Sequence, residues 1–294
     1  MATARELRNK IRSVKNTRKI TRTMEMIATA KARVCQKRIE AVKPYGDKIA
    51  ELLGDLKRMQ TGGESATAGS ALLRVPEKIS NEVVVIVTAN RGLCGGYNTN
   101  TLKTAERYLD RRQSEGVGSR VVMLGKKGVA RFKYTQRAIH EAVTHFDDKP
   151  GFAAAEALVA PLLAEFESGA IDALTVVSTR YLNAARQAPE VRPLLPLTAT
   201  GAGDAAAAGP AVDFILEPSP EYILKTLLPL SLKTQFFLAL VEAAASEQIA
   251  RRIAMKNATD SADDMARSYT QLYNRTRQAG ITQEILEVIG GTVS

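Results

Sequence analysis

Leu230-Ser-Leu-Lys-Thr-Gln-Phe-Phe-Leu-Ala-Leu240-Val-Glu-Ala-Ala-Ala-Ser-Glu-Gln-Ile-Ala250-Arg-Arg-Ile-Ala254 opens a stretch in which no proline intervenes from Leu230 to Ile289. Its apolar positions recur at helical spacing, through Leu232, Phe236, Leu240, Ala243, Ala250, Ala254, Ser261, Met265, Leu272 and Ala279. The predicted inward stripe is narrow and its members are often small. A helix packed on a globular core needs a wider and bulkier face, whereas small residues at heptad spacing suit the close approach of one partner helix. Ser219-Pro220 supplies a cap and a first-turn proline at the start of this region. Pro229 is expected to divide it, because a proline inside a helix removes a backbone hydrogen bond.

A partner of matching length stands at the other end of the chain. Thr3 with Glu6 reads as a capping box, and an apolar pattern persists to Met59, ahead of Gly62-Gly63. Ile20, Met24 and Ile27, then Val42, Tyr45, Ile49, Leu52, Leu56 and Met59, alternate steps of three and four, a heptad seam. Pro44 and Gly46 predict a kink. Such a helix would be about 80 Å long at roughly 1.5 Å per residue, well beyond the roughly 30 Å of a small domain. The two ends are therefore predicted to pair as a long antiparallel coiled coil.

Thr61 to Ala71 and Ala199 to Ala211 are rich in Gly, Ala, Ser and Thr and read as linkers or loops. Between them the chemistry changes. Val83 to Thr88 is a β-branched run followed by Arg91-Gly-Leu-Cys-Gly-Gly-Tyr-Asn98 and a predicted helix from about Thr101 to Gln113. Arg120 to Leu124 and Leu174 to Ser178 read as further strands, with a helix from about Ala154 to Glu167 between them. Strands alternating with helices imply a largely parallel sheet, so the expected fold class is α/β, with a small Rossmann-like domain inserted between the terminal helices. The expected organisation is an N-terminal coiled-coil helix at 1–60, a linker at 61–79, the α/β domain at 80–198, a loop segment at 199–218 and the C-terminal helix at 219–294.

The glycine-rich loop after the first strand could present backbone N–H groups to phosphate. However, Arg91 to Asn98 has neither GxGxxG spacing nor the lysine and hydroxyl of GxxxxGK[ST], and Gly125-Lys-Lys-Gly128 fails the same pattern. His140 and His145 have no companion cysteines, and Asp147-Asp148 before Lys149-Pro150 is most simply a turn. No catalytic set, metal set or cofactor motif emerges. Cys35 and Cys94 lie far apart, which suits a reducing compartment. The start of the chain lacks the apolar core of a secretory signal, and the most apolar segment, Phe236 to Ala245, is broken by Glu242; a cytoplasmic protein is expected.

The net charge of +10 is concentrated: residues 1–43 carry thirteen Lys/Arg against three acids, and the remaining 251 residues hold 28 of each sign. Such a strip is either a solvated helix face or a surface for nucleic acid, anionic lipid or an acidic protein. Nucleic-acid binding by base stacking lacks its aromatics in residues 1–43.

Three long motifs in order now carry a resemblance. Ile11-Arg-Ser-Val-Lys-Asn-Thr-Arg-Lys-Ile-Thr-Arg-Thr-Met-Glu-Met-Ile-Ala-Thr-Ala-Lys31, Arg91-Gly-Leu-Cys-Gly-Gly-Tyr-Asn98, and the set Ala245-Ser-Glu-Gln248, Met255-Lys-Asn-Ala-Thr-Asp260 and Tyr273-Asn-Arg-Thr-Arg-Gln-Ala-Gly-Ile-Thr-Gln-Glu-Ile285 closely resemble the gamma subunit of bacterial F-type ATP synthases, from end to end. The resemblance implies a non-catalytic rotor in the central stalk, one copy per complex. It would couple proton-driven rotation of the c-ring to conformational cycling of the catalytic beta subunits. Implied partners are alpha and beta subunits, three of each, the epsilon subunit and the c-ring, with no nucleic acid and no cofactor. Membrane association would be indirect, at the cytoplasmic face of the inner membrane. Position by position, the resemblance implies contacts with the alpha/beta head for Arg8, Arg12, Met24, Arg251, Arg277, Gln278, Thr282, Glu284 and Glu287. It implies a foot toward the c-ring and epsilon at Lys31, Arg33, Phe214 and Glu217. On this reading the basic strip faces an acidic lever of the beta subunit near Met24.

Overall fold

The computed structural model of the protein describes residues 3–60, 71–146, 150–197, 217 and 219–291. Most of both predicted linkers, the turn at Asp147-Asp148 and Phe214 lie outside these residues. The elements run α1 (Ala4–Gln60), a 3-10 turn (Ala71–Leu73), β1 (Asn81–Val87), α2 (Tyr97–Ser114), β2 (Gly118–Leu124), α3 (Lys126–Tyr134), β3 (Glu141–Val143), α4 (Phe152–Glu167), β4 (Ala173–Tyr181), β5 (Gln187–Leu195) and α5 (Pro220–Gly291). They form two compact units. One comprises residues 1–30 with 251–294, the other residues 31–250, and α1 and α5 each contribute to both.

Both helix starts follow their local signals. At α1 the Glu6 carboxylate accepts from the Thr3 backbone N–H at 3.0 Å, and the Thr3 hydroxyl accepts from the Glu6 N–H at 3.3 Å. These bonds occupy donors that no helical carbonyl reaches. At α5 the Ser219 hydroxyl accepts from the Tyr222 N–H at 3.3 Å. The predicted break at Pro229 does not occur, since α5 passes through it. A proline costs a helix interior about 3 kcal/mol, but Leu228 and Leu232 on either side are buried in the core, and their packing holds the segment helical. α1 continues as helix through Pro44 and Gly46.

In the unit of residues 31–250 a five-stranded sheet has the order β3-β2-β1-β4-β5. The first four strands are parallel and β5 pairs antiparallel with β4. Val83 to Val87 are buried throughout, as expected for a central strand covered on both faces. β5 escaped the sequence reading because Pro189 and Pro193 lie within it. Its position at the sheet edge explains why they are tolerated, since one side of an edge strand needs no donors. One face of the sheet packs against α4, α1 and α5, through residues such as Phe166, Ile39, Leu232 and Phe236. The other face is covered by α2 and α3, through Leu102, Tyr108 and Phe132. A window within Tyr222–Ile289 reaches a mean hydropathy of 1.3, apolar enough by length and composition to cross a membrane, but 61% of it is buried inside the protein. Burial against the protein's own core accounts for its composition.

In the unit of residues 1–30 and 251–294, α1 and α5 pair antiparallel. The Thr259 and Thr21 hydroxyls lie 2.8 Å apart, Arg18 Nε is 2.5 Å from Asp263 Oδ1, and Lys10 Nζ stands 5.8 Å from the Tyr269 ring centroid. The seam is a heptad seam, but in a different register from the predicted one. On α5 it runs through Met255, Thr259, Ala262 and Ala266, with Tyr269, Tyr273 and Thr276 half-buried beyond them. The expected seam residues Met265 (49% exposed) and Leu272 (46%), together with Ser261 and Ala279, face outward. On α1 the buried positions are Leu7, Thr21 and Ala28, while Ile20 (61%) and Ile27 (52%) are exposed and Met24 is half-buried. In residues 31–53, Tyr45 is likewise exposed, whereas Val42 and Ile49 do lie inward. Small and hydroxylated residues let two helices approach closely, and several stripes of each helix share the heptad period, so the period alone does not select the one that faces inward.

Candidate functional site

Two regions were singled out for chemistry, the glycine-rich turns of the sheet and the residues along the terminal helices. At the sheet, the strand ends where open α/β folds hold ligands lie at the carboxyl ends of β1 and β2. Gly125 has φ +96°, and a Cβ there would run into the Thr88 carbonyl. The first-turn amides of α3 are already engaged: Lys126 N–H donates to Asn90 Oδ1 (3.1 Å), Lys127 N–H to the Ala89 carbonyl (3.1 Å) and Gly128 N–H to Thr88 Oγ1 (3.0 Å). In the Arg91–Asn98 loop, Ala89 N–H donates to Asn98 Oδ1 at 2.9 Å, and the Asn98 amide donates to Cys94 Sγ at 3.1 Å. Leu93 and Gly95 take the left-handed turns, at φ 62° and 55°. Above these strand ends α5 presents Leu240, Ala243, Ala244 and Glu247, leaving a cavity of about 50 Å³. Small-molecule sites occupy about 300–1,000 Å³. The glycine turns fasten β1 to α2 and α3, and α5 closes the crevice above them.

On the terminal helices, Arg8 and Arg12 are exposed on α1, Lys31 is half-buried and Arg33 is exposed. Arg251 is only 8% exposed, so it is not a solvated residue. Arg277, Gln278, Thr282, Glu284 and Glu287 are all exposed on the last turns of α5. There the Thr282 hydroxyl donates to the Gln278 carbonyl at 2.9 Å, and Gln283 donates to Glu287 at 3.1 Å. Glu217 is exposed. These residues form surfaces rather than a converging cleft.

Two buried charge networks were not anticipated. Glu82 on β1 accepts from the Tyr108 hydroxyl (2.5 Å), the Thr175 hydroxyl (2.5 Å) and Arg112 Nε (2.7 Å), tying α2 across the sheet. Burial, reinforced by the bond to Glu82, pushes the Tyr108 hydroxyl up to about 12. On the opposite face Glu242 of α5 pairs with Arg192 of β5 at 3.0 Å. Burial holds its carboxyl above the usual range, partly offset by Arg192. A carboxylate at the head of a wholly apolar strand, and another within the most apolar helical stretch, were the available signals, since a buried charge requires a partner.

Comparison with known proteins follows the same lines. A family model described as ATP synthase matches residues 3–294. The ATP synthase gamma chain of Leptospira biflexa is 43% identical over 291 residues, covering 99% of this chain and 98% of that one. That of Gemmatimonas aurantiaca is 41% identical over 294 residues, with 99% and 98% covered. Among solved structures, a chain of the Euglena gracilis mitochondrial ATP synthase (OSCP/F1/c-ring, rotational state 3) shares the fold at a TM-score of 0.62 and 22% identity, covering 99% of this chain and 93% of that one. A chain of the Tetrahymena thermophila mitochondrial ATP synthase central stalk and c-ring does so at 0.58 and 20%, covering 81% and 99%. With matches of this identity along essentially its whole length, the chain belongs to the ATP synthase gamma-chain family.

Proposed function

We propose that the helix pair of residues 3–30 and 251–291 turns inside a ring of three alpha and three beta subunits, one copy per complex. As a gamma chain the protein is a non-catalytic rotor subunit of the F-type ATP synthase, and it acts by position rather than by bond chemistry. The observation that carries the reading is the apolar surface that the helix pair leaves uncovered: Ile20, Ile27, Met265, Leu272, Ile281, Ile285 and Leu286 are all exposed. Exposed apolar side chains in such number are what a surrounding protein surface would cover. Rotation presents this asymmetric surface to each catalytic beta subunit in turn, so proton-driven turning of the c-ring is converted into successive nucleotide-binding states.

Within this reading Arg8, Arg12 and Met24 meet the acidic levers of the beta subunits. Arg251, Arg277, Gln278, Thr282, Glu284 and Glu287 contact the head or tune coupling to Met24, the last five near the tip. Lys31, Arg33, Phe214 and Glu217 form the foot on the c-ring and the epsilon subunit, which places the protein peripherally at the cytoplasmic face of a bacterial inner membrane. Affinity purification through a tag on this chain tests the proposal. The expected product is a ring of three alpha and three beta subunits with one copy of the chain, together with epsilon and the c-ring. Recovery without alpha and beta subunits, combined with tight duplex DNA binding of steep salt dependence, would instead assign the basic strip to nucleic acid.

A further inference from the structure

β5 leads into residues 199–218 and α5 leads out of them, and one buried ion pair joins the two. Arg192 Nη2 lies 3.0 Å from Glu242 Oε2, a bond that closes fifty residues of chain. The Glu242 side chain is 7% exposed and that of Arg192 18%. Glu190, itself 3.6 Å from Arg180, stands 3.4 Å from Arg192, so the group comprises two cations and two carboxylates. Two further polar bonds reach the same hairpin from both long helices. Ser246 of α5 donates to the Thr179 carbonyl at 3.3 Å, and Gln36 of α1 donates to the Tyr181 hydroxyl at 3.1 Å. Shape-filling contacts let packed surfaces slide, whereas a buried hydrogen-bonded pair holds direction as well as distance, and replacing it by apolar groups is often neutral for stability. A pair of this kind is therefore better suited to holding alignment than to adding stability.

We infer that Arg192 and Glu242 are positioning residues for coupling, clasping the β4–β5 hairpin to α5 so that load entering through residues 199–218 reaches the sheet and the helix together. The inference rests on the assignment of those residues to the foot.

The test uses the assembled complex in inverted membrane vesicles, with ATP hydrolysis and ATP-driven proton pumping measured together. Arg192→Met should leave hydrolysis within twofold while lowering protons pumped per ATP at least threefold, and the exchange Arg192→Glu with Glu242→Arg should recover part of the loss, the remainder being withheld by Glu190, which would then face a second carboxylate. The double variant Arg192→Met/Glu242→Met, which leaves no unpaired buried charge, should regain the thermal stability of the unaltered complex and remain poorly coupled. Recovery of coupling together with stability in that double variant would overturn the inference in favour of a packing role, as would native pumping by Arg192→Met. If Arg192→Met does not assemble, the two double variants still discriminate. Failure of the unaltered chain to copurify with the c-ring would count against the foot assignment itself, a result separable from any outcome of the substitutions.

Discussion

Residues 4–30 and 31–53 belong to the same helix, yet they bury different kinds of side chain. In the first stretch Thr21 and Ala28 lie inward and Ile20 and Ile27 outward; in the second Cys35, Ile39, Ile49 and Leu53 are buried. α5 repeats the contrast, with Leu228, Leu232, Phe236 and Leu240 buried in its first half and Thr259, Ala262 and Ala266 in its second. Leu7, Arg251 and Met255 are larger buried residues there, and Ile11, Val14, Met24, Tyr269 and Tyr273 are half-buried. Where a sheet lies alongside, the helices supply bulk to a common core. Where only two helices meet, less is buried, and Ile20, Ile27, Met265 and Leu272 are left exposed. The difference divides the apolar content of these helices between a shared core in one region and exposed positions in the other.

The sharpest way to break this contrast is to remove bulk from the sheet-side core. Phe236 is fully buried amid that cluster, and Phe236→Ala should cost about 3–5 kcal/mol through lost transfer energy and an incompletely collapsed cavity. Urea unfolding of the full chain, followed by amide exchange of β1 and β4, would measure it. A loss below about 1 kcal/mol would mean that α5 is not integral to the sheet's core.

The limits of sequence reading follow the same division. The capping box at Thr3 and Glu6, the buried run of β1 and the heptad period were all legible, because each depends on neighbours along the chain. The register of the seam was not, since a period of three and four describes several stripes of one helix, and which faces inward depends on what stands opposite. β5 was hidden by prolines that only an edge position permits. Of the candidate residues, the surface positions on α1 and at the end of α5 followed from family motifs, whereas Arg192 with Glu242, and Glu82 with Arg112, are paired by tertiary structure across 50 and 30 residues of chain.

A smaller effect is expected from pH, and it belongs to the sheet-bearing unit alone. The Tyr108 hydroxyl is raised from 10.0 to about 12, so the folded protein retains a proton that the unfolded chain releases in that interval. Its contribution is fully present below pH 10 and is lost as pH rises toward 12. At roughly 1.4 kcal/mol per pH unit the loss is at most about 3 kcal/mol, and screening by nearby solvent reduces it to about 1 kcal/mol. Other tyrosines and lysines titrate in the same range, so the informative measurement is the difference between the protein and Tyr108→Phe in unfolding free energy from pH 9 to 11.5. The gap between them should narrow as pH rises; a constant gap would mean that the hydroxyl is not held in its protonated form by burial beside Glu82.

The least expected change in stability comes from the outward stripe, and there a null result is the informative one. Ile27→Ser alters an exposed position on α1, and isoleucine and serine have similar helix propensities. The isolated chain should therefore unfold within about 0.5 kcal/mol of the unaltered protein. Ile39→Ser, twelve residues along the same helix but buried against the sheet-side core, should lose several-fold more, because a hydroxyl replaces apolar bulk in a packed interior. If the outward stripe is the surface that the alpha/beta ring covers, the ranking reverses in assembly: chains carrying Ile27→Ser fold normally but copurify with less alpha and beta subunit. A large loss of stability in Ile27→Ser would place that side chain in the helix seam after all. Unchanged recovery of the ring would leave the exposed stripe without the role proposed for it.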